Sequence, residues 1–189
     1  MVRFLINYVL VPVLESCIAK TVLRIIDIDN YSGQLLVISL EKPLKKPRVV
    51  TLEEVSFEVE QGIIRLDQDV PAAYMVKPED EITEKEKSSR EKSWHLIRGL
   101  VEGKNAGDLF VDGEFGSRVA NHAAALNTSR TMIYKLLYRY WAYGQSKNVF
   151  CGNLITGVPQ GKERHIKMVC NQGGRLYIAG LLSQIEQYG

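Results

Sequence analysis

SRVANHAAALNTSRTMIYKLLYRYWAY, residues 117–143, reads as two helices joined by a tight turn. Ala120, Ala123, Ala124 and Leu126 recur at helical spacing and are expected to form the buried face of the first helix. Leu126-Asn127-Thr128-Ser129 is the break, because Asn tolerates a left-handed backbone at modest cost. Ser129 or Thr128 is the N-cap of the next helix. That helix is expected to bury Ile133, Leu136, Leu137 and Tyr140, leaving Arg130, Thr131, Tyr134, Lys135 and Arg139 on its other faces. The pattern is a helix-turn-helix whose second helix starts with polar and cationic side chains, as a groove-reading helix does. An ordinary helical hairpin within a core fits the same spacing.

The charge of the chain is uneven around this stretch. From Ser117 onward there are nine Lys/Arg and two acids, a net +7, whereas residues 1–116 carry fifteen against twenty, a net −5. The overall +2 conceals a basic C-terminal part fit to face a polyanion; a solvated charged face is the alternative. Apolar and charged fractions are those of a globular protein. Cys17, Cys151 and Cys170 are widely spaced and form no Cys-x-x-Cys pair, which suits a reducing bacterial cytoplasm and no disulfide framework. Cys151, His165 and Cys170 are a weak zinc pattern, so no metal ligand and no cofactor is assigned.

Upstream, Met1–Leu14 is nearly all apolar. It is too short to cross a bilayer, Pro12 interrupts it, and no cleavage site follows, so a strand or buried segment is expected. Thr21–Asp29 and Gln34–Leu40 form a hairpin around Asn30-Tyr31-Ser32-Gly33. The Lys42–Arg48 loop is basic and short enough to be merely solvated. Thr51-Leu52-Glu53-Glu54 is a capping box opening a short helix with Leu52, Val55, Phe57 and Val59 as its apolar side and Gly62 at its end. Ile63–Leu66 follows as a strand. Residues 1–76 are thus expected to be a small β-rich, barrel-like α+β module, with nothing catalytic in it. Residues 77–144 are expected to hold the helix-turn-helix domain, supported by a helix with Trp94, Ile97, Leu100 and Val101 on its apolar stripe. The acids Asp108, Asp112 and Glu114 in the following Gly-bearing loop lack the order of a calcium loop. Residues 145–189 read as a basic, glycine-containing arm or linker.

The stretch TMIYKLLYRYWAYGQSKN, followed by GKER at Gly161–Arg164 and GGR at Gly173–Arg175, resembles the N-terminal region of TnsB-type transposases, relatives of Mu transposase and retroviral integrases. The segments VLRIIDID, QLLVISLEKP, TLEEV and EQGIIRL resemble the small module that opens those proteins. The resemblance implies cut-and-paste DNA transposition and integration, with double-stranded transposon ends as partner and further protomers or other transposition proteins alongside. It also implies a ribonuclease-H-like domain downstream, in which three carboxylates hold two metal ions, Mg2+ in expectation, for DNA strand cleavage and joining. No residue here is assigned to that chemistry. The chain is expected to be the amino-terminal part of a transposase or a truncated homologue, and not itself an enzyme.

On this reading Arg130, Thr131, Tyr134 and Lys135 approach base edges, with Ser129 and the helix N-terminus on phosphate. Arg139, Lys147, Lys162, Arg164 and Arg175 neutralise further phosphates. The rivals are a protein-interaction module of a transposition complex, favoured for residues 1–76 by their acidity, and a stand-alone transcriptional regulator.

Overall fold

The computed structural model describes residues 2–68, 78–110 and 113–151. The apolar N-terminal run gives the expected strand, β1 (Tyr8–Pro12), with Phe4, Val9 and Leu10 buried and Leu5, Ile6, Val13 and Leu14 exposed. Next come β2 (Leu23–Asp29), β3 (Gln34–Ser39), β4 (Arg48–Thr51), α1 (Leu52–Glu60) and β5 (Ile64–Gln68). They form one antiparallel sheet in the order β4-β3-β2-β1-β5. The expected barrel-like closure is not what the described residues show: β4 and β5 are the two edges, and α1 packs against both. The helices α2 (Glu84–Val101), α3 (Phe115–Ala125) and α4 (Arg130–Ala142) follow.

The centre of the sheet is buried on both sides. Leu35, Leu36, Val37 and Ile38 of β3 are all at most 5% exposed. Leu35 and Val37 join Leu10, Ile25, Val50, Val55 and Ile64 in one apolar cluster, closed by α1. Leu36, Ile38 and Ile26 of β2 belong to a second cluster, completed by the helices through Ile97, Leu109, Val119, Ile133, Leu137 and Trp141. Alternation along a strand sends successive side chains to opposite faces, so a run of apolar residues must be covered twice. The sheet is therefore a middle layer, and residues 2–151 include one core that strands and helices build together.

The capping box on α1 forms as its sequence dictates: Thr51 Oγ1 accepts from Glu54 N at 3.2 Å, and Glu54 reaches back to Thr51. Its apolar side differs. Phe57 is 61% exposed, whereas Glu58 is buried and accepts hydrogen bonds from Ser16 Oγ and Cys17 N. In a helix, positions 55 and 58–59 share a face with 52, and position 57 lies off it. The polar Glu58 is buried because the Ser16–Cys17 turn satisfies its carboxylate.

Candidate nucleic-acid interface

The turn between α3 and α4 is built by its own residues. Thr128 N donates to Ala123 O at 2.9 Å and Asn127 N to Ala124 O at 3.1 Å, with Asn127 at φ 48°. That is a Schellman ending with Asn in the left-handed position. Ser129 then caps α4, its Oγ accepting from Met132 N at 3.2 Å. The buried face of α3 is Phe115, Val119 and Ala123; Ala120 is half-buried and Ala124 exposed, which corrects the expected alanine face. Ala123 is buried as expected, while Phe115 and Val119, four apart from each other and in line with it, carry the larger apolar side chains and so set the buried face.

In α4 the buried side is Ile133, Leu136, Leu137, Trp141 and Ala142, while Tyr140 is half-buried. Trp141 is fully buried. It anchors an aromatic cluster, with ring centroids 5.9 Å from Phe110, 6.0 Å from Phe115 and 6.3 Å from Tyr138. α4 also lies against β2 and β3, so the sheet backs the helix. After α4, Gly144 (φ 95°) turns the chain and Gln145 Nε2 donates to Ile26 O at 2.8 Å. A side chain at Gly144 would meet Arg24 Nη1 at 2.9 Å. These contacts hold α4 with its first turn facing outward.

Ser129, Arg130, Thr131, Met132 and Lys135 are exposed and adjacent on that first turn and a half. Tyr134 is half-buried: its ring lies 5.6 Å from Phe115 and 5.8 Å from Tyr138. Arg139 is drawn inward, donating to Val149 O with its guanidinium 5.5 Å from the Phe150 ring. Lys147 is exposed beside Glu91, at 3.4 Å. Lys162, Arg164 and Arg175 lie outside the described residues, as do Asp112, His165 and Cys170. Cys151 is buried, and burial pushes its thiol up from the usual range. No group of three metal-ligating side chains occurs among the described residues, and no described helix is long and apolar enough to cross a membrane.

Arg90 is a structural residue that the apolar-stripe reading overlooked. It is 3% exposed, yet it holds Glu79 at 2.6 and 2.8 Å, Glu91 at 3.0 Å and Asn148 Oδ1 at 3.0 Å. Its signal was its register: it lies seven residues before Ile97, on the stripe of Ser93, Leu100 and Val101. An arginine there demands hydrogen-bonding partners, and it finds them in two surface carboxylates and Asn148. Through Asn148 it ties the start of α2 to the Lys147–Phe150 turn after α4. The Glu79 carboxylate is held below its ordinary range, first by the hydrogen bond from Arg90.

No curated protein matches the chain. One family model does match, the TnsB second domain, over residues 90–151. The matched span begins at Arg90 and ends one residue past the turn that Arg90 holds, so it brackets α2 through the turn after α4. Residues 90–151 thus match the TnsB second domain, a region of TnsB transposases.

Proposed function

We propose that this region binds double-stranded DNA at transposon ends, with α4 as the reading helix of a helix-turn-helix. The observation that carries the proposal is the outward row Arg130, Thr131 and Lys135 behind the Ser129 cap, on a helix whose opposite side is locked by Trp141. Charge agrees: residues 115–151 hold Arg118, Arg130, Lys135, Arg139 and Lys147 and not one acid. Arg130, Thr131 and Lys135 meet base edges in the major groove, and the α4 N-terminus and Ser129 meet a phosphate. Tyr134 flanks the row, its ring fixed by Phe115. Lys147 exchanges Glu91 for a phosphate. Arg139 contributes chiefly by fastening the turn at Val149 and Phe150, and Lys162, Arg164 and Arg175 add phosphate contacts from the chain beyond. Strand cleavage, with its metal ions, is work for a separate catalytic domain.

The test is fluorescence anisotropy on end duplex and scrambled duplex across a salt series. Arg130→Ala costs about 1–3 kcal/mol on end DNA and narrows the preference between duplexes. Lys147→Ala weakens both alike and lowers the salt slope by about one unit. Equal affinity of the wild type for both duplexes would remove the assignment of α4 as a sequence reader.

A further inference from the structure

The two edges of the sheet are finished differently. β4 is blunted: it is four residues long, Pro43, Lys45, Lys46 and Pro47 lie just before it, and the Thr51 amide is taken by the Glu54 carboxylate. β5 has none of these devices. It runs Ile64–Gln68 without a proline and pairs with β1 in an unbroken register, from Tyr8 with Gln68 to Pro12 with Ile64. Val13 N donates to Ile63 O at 2.9 Å, so residue 63 turns its carbonyl toward β1. Alternation gives residues 65 and 67 the same direction and sends the N–H and C=O of Ile64, Leu66 and Gln68 away from the sheet. Among the described residues no strand lies beyond them.

The side chains of β5 suit one occupant of that edge. Arg65 and Asp67 share the face that carries Val11 and Val9, and Leu66 lies on the α1 side, half-buried against the cluster around Leu10. Arg65 holds Asp67 within its own strand, Nε at 2.8 Å and Nη2 at 2.7 Å, while its Nη1 has no partner among the described residues. A second β5 laid antiparallel alongside, with Leu66 opposite Leu66, puts each Arg65 directly across from the Asp67 of the other copy. The residues with outward groups then form the hydrogen-bonded pairs, Leu66 with Leu66 and Ile64 with Gln68 in both senses, each pair exchanging two N–H···O bonds. Sliding by two residues either way sets Arg65 against Arg65 or Asp67 against Asp67, which repel. Charge therefore selects a single register. We propose that two copies of this chain join edge to edge through β5, doubling the five-stranded sheet about a two-fold axis at Leu66. The contact keeps both helical layers on the same side of the joined sheet. Only five residues of each copy pair, so the dimer is weak and dissociates in about the micromolar range. It uses neither α4 nor its exposed row, and stands or falls apart from the DNA-binding reading.

The test is sedimentation velocity on the full chain over a concentration series at low salt. The wild type is expected to pass from monomer to dimer over about the micromolar range. Arg65→Glu sets carboxylates against each other across the axis, and Asp67→Arg sets cations; each alone is expected to weaken self-association about tenfold or more. Mixed together, the two variants restore opposite pairs, so the mixture dimerises as the wild type does although neither variant does so alone. Loss of the bridge within the strand cannot produce that rescue, since both variants lack it. An unchanged melting temperature verifies the fold. Should a single variant melt early, the exchange of Arg65→Asp with Asp67→Arg keeps the bridge and the cross-strand pairs, and is expected to dimerise like the wild type. Hydrogen exchange reads the register: the amides of Ile64, Leu66 and Gln68 slow as the dimer forms, and those of Arg65 and Asp67 stay as they were. A wild type that remains monomeric throughout overturns the proposal. So does a dimer that neither single variant weakens, a mixture that stays monomeric, or exchange at residues 64, 66 and 68 that does not slow.

Discussion

Arg90 shows how one polar residue organises a helical region. Its guanidinium has left water, and the partners that replace water come from three places: the turn Glu79–Glu81, the neighbouring Glu91 and Asn148 fifty-eight residues later. Arg90→Ala removes these bonds together and is expected to lower stability by about 1–3 kcal/mol, read from denaturant midpoints. The Glu79 partner gives this a pH signature. A carboxylate held below its ordinary value stabilises the fold above that value, and the gain disappears as pH falls through the lowered folded value. Wild type and Glu79→Gln should therefore differ in melting temperature at neutral pH and converge well below pH 4.5, the ordinary value. A gap that persists undiminished at pH 2–3 would deny the linkage.

At the scale of elements, α4 is defined at both ends by residues that act locally. Ser129→Ala should cost about 1 kcal/mol by freeing the Met132 amide from its cap. Ser129→Gly should cost only a few tenths. Gly144 is the opposite stop, and here the neighbour matters as much as the backbone. Gly144→Ala places a Cβ at φ 95° against Arg24 of β2, and a loss of at least about 1–2 kcal/mol is expected from the left-handed backbone alone. Chemical denaturation of the three variants orders these costs. A Gly144→Ala protein as stable as wild type would mean that the α4–sheet junction tolerates rearrangement.

At the scale of the molecule, β3 couples the two apolar clusters because its side chains alternate between them. Ile38 on the helix side and Val37 on the α1 side are one residue apart and both buried. Ile38→Ala should cost about 2–5 kcal/mol. Its effect should reach sheet and helices in one step: tryptophan fluorescence, reporting Trp94 and Trp141 in the helical layer, and far-ultraviolet circular dichroism should give coincident midpoints. Separated midpoints would show that the layers melt independently. The same coupling makes the sheet a rigid backing for α4.

Local chemistry was legible in the chain. The capping box at Thr51, the Asn127 turn, the Ser129 cap and the β2–β3 hairpin each depend on hydrogen bonds within a few residues, and each stands where its residues indicated. The TnsB resemblance was legible in the α4 stretch for a related reason, since a turn, a cap and an aromatic run leave a compact signature. What needed the tertiary structure was everything set by distant partners. Burial of Glu58 depends on Ser16 and Cys17, the inward turn of Arg139 on Val149 and Phe150, and the open sheet on α1 meeting both edges. The basic loop at Lys42–Arg48 reads as ordinary solvated charge, and only folding brings the Phe115 ring to 5.5 Å from Lys46 Nζ. Short-range bonds are encoded where they form; a charge acquires meaning only from the neighbours that folding brings to it.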